Sequence, residues 1–346
     1  MMERVLIVGY GSIGQRHLRI VRESLPQADL RILRRSDSKA VEGTDGCFAS
    51  LDQALAFKPQ AAIIASPSPF HIDTALALGR QGCHLLVEKP LSDRMERVPL
   101  LLAAAREHGI VLQVGYNLRF QPSLRDFRQQ AQSGRIGRIL SIRGEAGQHL
   151  EGWRPGTDYR MGVSARYELG GGVLLELSHE LDYLRWIFGE AQWVSAWTGH
   201  QSSLEIDVED TAHLLLGMAG NGQSIGASAP VVALTLDFLR RDTVRRCTAV
   251  GETGSLVWDG VLGTVQLYTP DGGYEPVSQH PPVRDQTYRE QWQHFLDCVR
   301  QGTSPLVSGY DGLAVLKLIQ AARHSAATDC TRVWINRIEP ESSTHG

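Results

Sequence analysis

The sequence predicts an α/β domain built on a parallel sheet, followed by an α+β domain with a mostly antiparallel sheet. Two observations carry this reading. Over the first third, short apolar strands alternate with helices, which calls for a parallel sheet covered on both faces. After about residue 120, strand-like runs with turn signals follow one another before two helices close the chain, the mark of an α+β arrangement. A length of 346 residues accommodates two domains.

The elements run in order. Arg4–Val8 reads as a strand, Ile13–Glu23 as a helix, Leu30–Leu33 as a strand and Leu51–Phe57 as a helix. Ala61–Ala65 is an apolar strand, Phe70–Arg80 a helix, Leu85–Val87 a strand, Val98–Glu107 a helix and Val111–Val114 a strand. Beyond the change of texture come a helix over Pro122–Gln132 and a strand over Ile139–Glu145. Gly170-Gly171-Gly172 then opens a helix that runs on to Phe188. Strands are expected at Trp193–Thr198, Thr211–Met218, Gln223–Ala227, Thr248–Val250, Ser255–Trp258 and Thr264–Tyr268, and helices at Gln286–Arg300 and Gly312–Ala326. The domain reading is 1–120, 121–336 and a polar, frayed tail over 337–346.

Composition excludes several classes. A net charge of -3 argues against nucleic acid as a general partner. No apolar run approaches the length that spans a membrane, and the first residues lack the pattern of a secretion signal. Cys47, Cys83, Cys247, Cys298 and Cys330 are scattered and form no CxxC pair, so they read as small buried hydrophobes in a reducing, cytoplasmic setting.

VLIVGYGSIGQRH places Gly9-x-Gly11-x-x-Gly14 after a strand and at the start of a helix. Gly9 permits the tight turn, Gly11 lets backbone approach a pyrophosphate, and Gly14 allows close helix–strand packing. Ser12 and Ile13 belong to the same loop, and the helix N-terminus offers N–H groups and a positive dipole end. The whole unit reads as a Rossmann dinucleotide-binding loop, the alternative being merely a tight strand–helix turn. In LRILRRSDS, Arg34, Arg35 and Ser36 stand where an NAD site usually carries an acid. Guanidinium and hydroxyl groups there suit a 2′-phosphate, so NADP is expected; NAD is the alternative, served by Asp37, with the arginines as solvated charges. ASPSPFH ends another strand, where ligands of such sheets collect. Ser66, Pro67, Ser68 and His71 are therefore candidates to line the cofactor, with His71 otherwise a helix N-terminal residue of no special role.

CHLLVEKPLS poses a different question. A buried-type strand ends directly in Glu88-Lys89-Pro90, and charges at such a place are unfavourable unless they have partners or a function. The plain alternative is a surface charge pair beside a turn.

These segments, with QVGYNLRFQPSL, GGGVLLELSHELDYLRWIFGE and QWQHFLDCVRQGTSPLVSGYDGLAVLKLIQAA, resemble in order the glucose–fructose oxidoreductase / inositol dehydrogenase / MocA family over nearly the whole chain. The resemblance implies a Rossmann domain joined to an open-faced sheet that commonly mediates oligomerisation, hence a homodimer or homotetramer, and a carbohydrate-type substrate with no metal. It implies that Lys89 lies near the reacting carbon, where an ammonium stabilises a developing alkoxide. Glu88 would stand beside Lys89 and the cofactor. His179 resembles the family histidine that moves the hydroxyl proton. Asp182 resembles the aspartate three residues later, which either orients the ring or anchors the helix. Many relatives carry an aspartate four residues before the histidine. Here Glu176 stands three before, either as its substitute or as an ordinary helix-face acid. Tyr116, Asn117 and Arg119 match family positions near cofactor and substrate.

On helical spacing Val173, Leu177, Leu181, Leu184 and Phe188 face inward, while Glu176, His179 and Tyr183 share another side. In HLEGWRPGTDYRMGVSARYE, Trp153, Arg154, Tyr159, Arg160 and Arg166 suit a sugar bearing a carboxylate or phosphate, or else form an ordinary basic loop. Hydride transfer on a sugar, sugar acid or nucleotide-linked sugar is the leading function. The alternative is a non-catalytic dinucleotide- or sugar-sensing protein of the same fold.

Overall fold

In a computed structural model, residues 2–34, 41–154, 156–219 and 229–338 are described. The chain divides into two units, one of residues 1–117 with 285–316, the other of residues 118–284 with 317–339. Among the described residues, no helix is long and apolar enough to cross a membrane.

The first unit opens with β1 (Arg4–Val8), α1 (Ser12–Ser24), β2 (Asp29–Leu33), β3 (Gly46–Phe48), α2 (Leu51–Ala56) and β4 (Ala61–Ile64). It continues with α3 (His71–Gly79), β5 (His84–Val87), α4 (Val98–Glu107) and β6 (Leu112–Val114). The six strands form one parallel sheet in the order β3-β2-β1-β4-β5-β6. The central strands β1 and β4 are buried almost throughout, as strands covered on both faces must be. β3 was not expected from the sequence, because Gly-Cys-Phe is too short to show a period.

The second unit holds α5 (Pro122–Gln132), β7 (Ile139–Gly147), α6 (Val173–Glu176), α7 (His179–Phe188), β8 (Ala191–Gly199), β9 (Thr211–Met218) and β10 (Val231–Asp237). β11 (Val244–Gly251), β12 (Ser255–Asp259), β13 (Thr264–Thr269) and β14 (Gly273–Gln279) follow. Further along the chain come α8 (Gln286–Gln301), which belongs to the first unit, α9 (Gly309–Ala327) and β15 (Val333–Trp334). The nine-stranded sheet runs β14-β13-β12-β11-β7-β10-β9-β8-β15, antiparallel except where β7 and β10 lie parallel. On one face an aromatic core forms: Tyr183 meets Trp258 edge-on at 5.3 Å, Phe127 meets Phe188 at 6.2 Å, and Trp258 Nε1 donates to Ser123 Oγ at 3.0 Å. On the other face Trp197, Leu215 and Val231 are exposed.

Three expectations change. A second domain continuous over 121–336 is interrupted, because α8 belongs with the first unit. Trp292, Phe295 and Leu296 of α8 enter the core made by Val5, Ile7, Ile32, Ile63 and Val21, and Trp292 Nε1 donates to Ser24 Oγ at 2.8 Å. The single helix expected over Val173–Phe188 breaks at Leu177–Ser178, where the Ser178 hydroxyl donates to the Leu175 carbonyl. Tyr183 is fully buried rather than presented beside Glu176 and His179. The strand expected at Gln223–Ala227 lies outside the described residues. Of the cysteines, Cys83, Cys247 and Cys298 are buried, and Cys47 and Cys330 are half-buried.

Candidate active site

In the first unit the candidate residues gather at the C-terminal ends of β1, β4 and β5, where ligands of open parallel sheets bind. The glycine turn is dictated by close backbone approach. Gly9 has φ +91°, and a Cβ there would stand 2.7 Å from the Ala65 carbonyl oxygen. A Cβ on Gly14 would collide with the Gly9 carbonyl. At Gly11, by contrast, an added Cβ would meet nothing within 4 Å. That open space lies at the N-cap of α1, whose first turn carries no acid. The enclosed hydroxyls of Ser66 and Ser68 have no hydrogen-bond partner among the described residues. A pyrophosphate with its ribose hydroxyls fits this set: unused donors, a positive helix end and room for backbone contact.

Around this turn the other first-unit candidates separate. Arg34 follows β2 with its guanidinium 5.8 Å from the Tyr10 ring centroid. Arg35 and Ser36, with Asp37, lie outside the described residues. His71 does not face the cofactor loop as a ligand would. It is buried, with Nδ1 3.1 Å from the Pro90 carbonyl and Nε2 2.6 Å from the Ser66 carbonyl, so it ties the ends of β4 and β5 together. Burial pushes its imidazole below the ordinary value, leaving a neutral ring that can donate to only one of those carbonyls at a time.

Glu88 and Lys89 follow β5, and the Lys89–Pro90 bond is cis. Glu88 is buried, accepts from His17 Nε2 at 2.6 Å and from the Lys89 amide at 3.3 Å. Asn117 donates through Nδ2 to Thr287 Oγ1 at 2.7 Å, and Tyr116 is fully buried, which withdraws it from substrate. His17, Thr287, Tyr288 and Asp285 were not singled out from the sequence. His17 closes the GYGSIGQRH segment, but nothing in its spacing tells a buried partner from a helix-face histidine. The other three sit on the returning segment, whose placement is set by tertiary packing.

In the second unit the break between α6 and α7 leaves a distinctive surface. From Gly170 to Arg185 every residue is buried except Glu176 and His179. Glu176 Oε2 accepts from Ser164 Oγ at 2.7 Å. Asp182, a candidate either to orient the histidine or to anchor the helix, is bound by Arg119 through two bonds of 2.9 and 2.7 Å, both side chains being buried. This commits the Arg119 guanidinium to a buried carboxylate of α7. Glu209 lies against Gly172, accepts from the Leu174 amide at 3.2 Å and has its carboxyl pushed up by burial.

The 149–168 stretch folds into short turns held by its own charges. Trp153, half-buried, donates its indole N–H to the Gln148 carbonyl at 3.0 Å and packs edge-on against Phe238. Arg166 pairs with Glu168 at 2.9 Å, and Arg160 with Asp158 and Glu205. Arg154 is exposed. Among the described residues no group of three His, Cys, Asp or Glu side chains is arranged to hold a metal ion.

Comparison with known proteins follows the same division. The model of the family described as "Oxidoreductase family, NAD-binding Rossmann fold" matches residues 3–116, and its companion, the GFO/IDH/MocA C-terminal domain, matches residues 124–257. The chain belongs to the glucose–fructose oxidoreductase / inositol dehydrogenase / MocA family. An inositol 2-dehydrogenase of Rhizobium meliloti (strain 1021) is 26% identical over 353 residues, covering 94% of this chain and 98% of its own. A 1,5-anhydro-D-fructose reductase of Ensifer adhaerens is 29% identical over 280 residues, covering 78% of each. The crystal structure of GenD2 from gentamicin A biosynthesis in complex with NAD is 26% identical, with TM-score 0.77, covering 96% of this chain and 97% of that one. As a Gfo/Idh/MocA oxidoreductase the protein uses a nicotinamide dinucleotide.

Proposed function

We propose that this Gfo/Idh/MocA enzyme transfers a hydride between a nicotinamide dinucleotide and a carbinol or ketone carbon of a sugar, sugar acid or nucleotide-linked sugar. The observation that carries the reading is the Glu88-Lys89 turn: a buried carboxylate, tied to the helix of the glycine loop, holds an ammonium-bearing residue at the strand end beside that loop. Two relatives, named for a cyclic polyol and an anhydro sugar, support CH–OH chemistry.

In this reading the nicotinamide supplies or accepts the hydride when bound. Lys89 Nζ hydrogen-bonds the substrate oxygen and stabilises the charge that develops there. His179, half-buried at the start of α7, takes the hydroxyl proton during oxidation and returns it during reduction. Glu176, held by Ser164, is the cleft acid that stands in for the aspartate of relatives. Arg34, with Arg35 and Ser36 beyond the described residues, favours NADP over NAD by offering cations where a 2′-phosphate would lie. A second copy covers the open sheet face around Trp197, Leu215 and Val231, making a homodimer or homotetramer.

Turnover against a panel of cyclitols, sugars, sugar acids and nucleotide sugars, followed by nicotinamide absorbance with NAD and NADP, tests the proposal. Turnover is expected with one substrate class, and Lys89→Ala should lower kcat by roughly 100-fold or more. Tight dinucleotide binding with no turnover on any panel member would favour a sensor instead.

A further inference from the structure

Under the Lys89 turn lies a buried polar pair, one member of which, His17, has no role assigned above. His17 is fully buried on α1, six residues beyond Gly11 in the helix whose N-terminus faces the pyrophosphate position. Its Nε2 lies 2.6 Å from Glu88 Oε1, while Nδ1 is enclosed with no hydrogen-bond partner among the described residues. The ring's polar tie is therefore to Glu88, with Nε2 carrying the proton that the carboxylate accepts. The other carboxylate oxygen accepts from the Lys89 amide.

Glu88 is confined from the far side as well. A Cβ added to Gly115 would stand 2.8 Å from Glu88 Oε2, so only glycine leaves the carboxylate this position. The His17 ring is in turn wedged by Tyr288, which meets it edge-on at 5.7 Å. The Arg16 guanidinium lies 4.7 Å above the Tyr288 ring and is paired with Asp285 at 2.9 Å. Asp285 also holds Arg19, so the returning segment clamps α1 at two successive turns. A buried pair of this kind is a weak way to stabilise a fold, since apolar side chains of similar size would do as well. It is a specific way to fix one carboxylate oxygen relative to a helix.

We propose that His17 is a positioning residue: through Glu88 it sets the Lys89 turn relative to the glycine helix, and so seats the nicotinamide half of the cofactor. This rests on the hydride-transfer reading, but its test does not depend on turnover. Each reduced dinucleotide is compared by calorimetry with its adenosine half: NADH with ADP, and NADPH with 2′-phospho-ADP. His17→Ala should weaken the dinucleotide by roughly 10-fold, the effect of losing a hydrogen bond to a charged group, while the adenosine half binds as in the parent. His17→Gln, which can still donate to Glu88, should recover most of the loss. In active enzyme kcat should fall in the same order. Should His17→Ala not fold, His17→Asn, too short to reach Glu88, carries the same comparison. Equal weakening of dinucleotide and adenosine half would show that His17 only props α1, and no change in either would show that it does nothing for the cofactor; both overturn the proposal. If the parent binds dinucleotide yet turns over no carbinol, the hydride-transfer reading fails separately and the binding ratio still decides this one.

Discussion

The strand ends of the first unit and the 149–168 stretch of the second are both rich in charged and hydroxyl groups, but their side chains are committed differently. At the strand ends backbone crowding forces particular residues. Gly9 and Gly14 admit no side chain, and Gly115 leaves room only for the Glu88 carboxylate. In the 149–168 stretch two guanidiniums find acids a few residues or one loop away: Arg160 with Asp158 and Glu205, Arg166 with Glu168. A site carried by backbone geometry is specific, whereas charged and aromatic composition serves equally well for local ion pairs in a loop.

The sharpest way to break this comparison is at the glycines themselves. Gly11→Ala should fold with an unchanged melting temperature, because its Cβ enters open space, yet bind dinucleotide about 100-fold more weakly by calorimetry, because that space is where pyrophosphate meets backbone. Gly14→Ala should lose both binding and stability, because its Cβ meets the Gly9 carbonyl within the protein. If the two variants behaved alike, the distinction between a ligand-driven and a packing-driven glycine would fail.

Asp182 sharpens the same contrast within the second unit. Asp182→Ala leaves Arg119 buried without its carboxylate, a loss of about 3–5 kcal/mol, and should lower the melting temperature by roughly 10 °C while the folded fraction keeps most of its turnover. A collapse of kcat at unchanged stability would return Asp182 to the role of orienting His179. The smallest effect belongs to the loop. Arg166→Ala removes a partly exposed pair worth at most about 1 kcal/mol and should change KM by less than about 3-fold in steady-state kinetics. A larger rise in KM would make that guanidinium a substrate contact after all.

Much of this was legible from the chain alone, and the reasons for the rest are physical. The parallel sheet showed itself because β1, β4 and β5 are continuous apolar runs bounded by turn residues. β14 was hidden because Gly-Tyr-Glu-Pro-Val-Ser-Gln, an edge strand, needs no buried alternation and tolerates proline. The helical period of α8 was readable, but not which core Trp292 and Phe295 would enter, since an apolar stripe does not name its partner. The candidate site divides in the same way. Gly9, Gly11, Gly14, Glu88 and Lys89 could be found because motifs encode backbone constraints. His17, Tyr288 and Asp285 could not, because contacts across more than 260 residues of sequence leave no local signal. Tyr183 was over-read, because a polar atom on the right helix still buries itself when an aromatic neighbour is at hand.

The most direct test of the proposed hydride transfer, in which Lys89 and His179 are both assigned to the substrate oxygen, is a double-mutant cycle on kcat with Lys89→Ala, His179→Ala and the combined variant. If the two groups serve one oxygen, their effects are strongly non-additive: the double variant should be within a few-fold of the slower single variant. Losses that simply multiply would contradict the account, leaving the ammonium and the imidazole acting on separate steps or separate atoms.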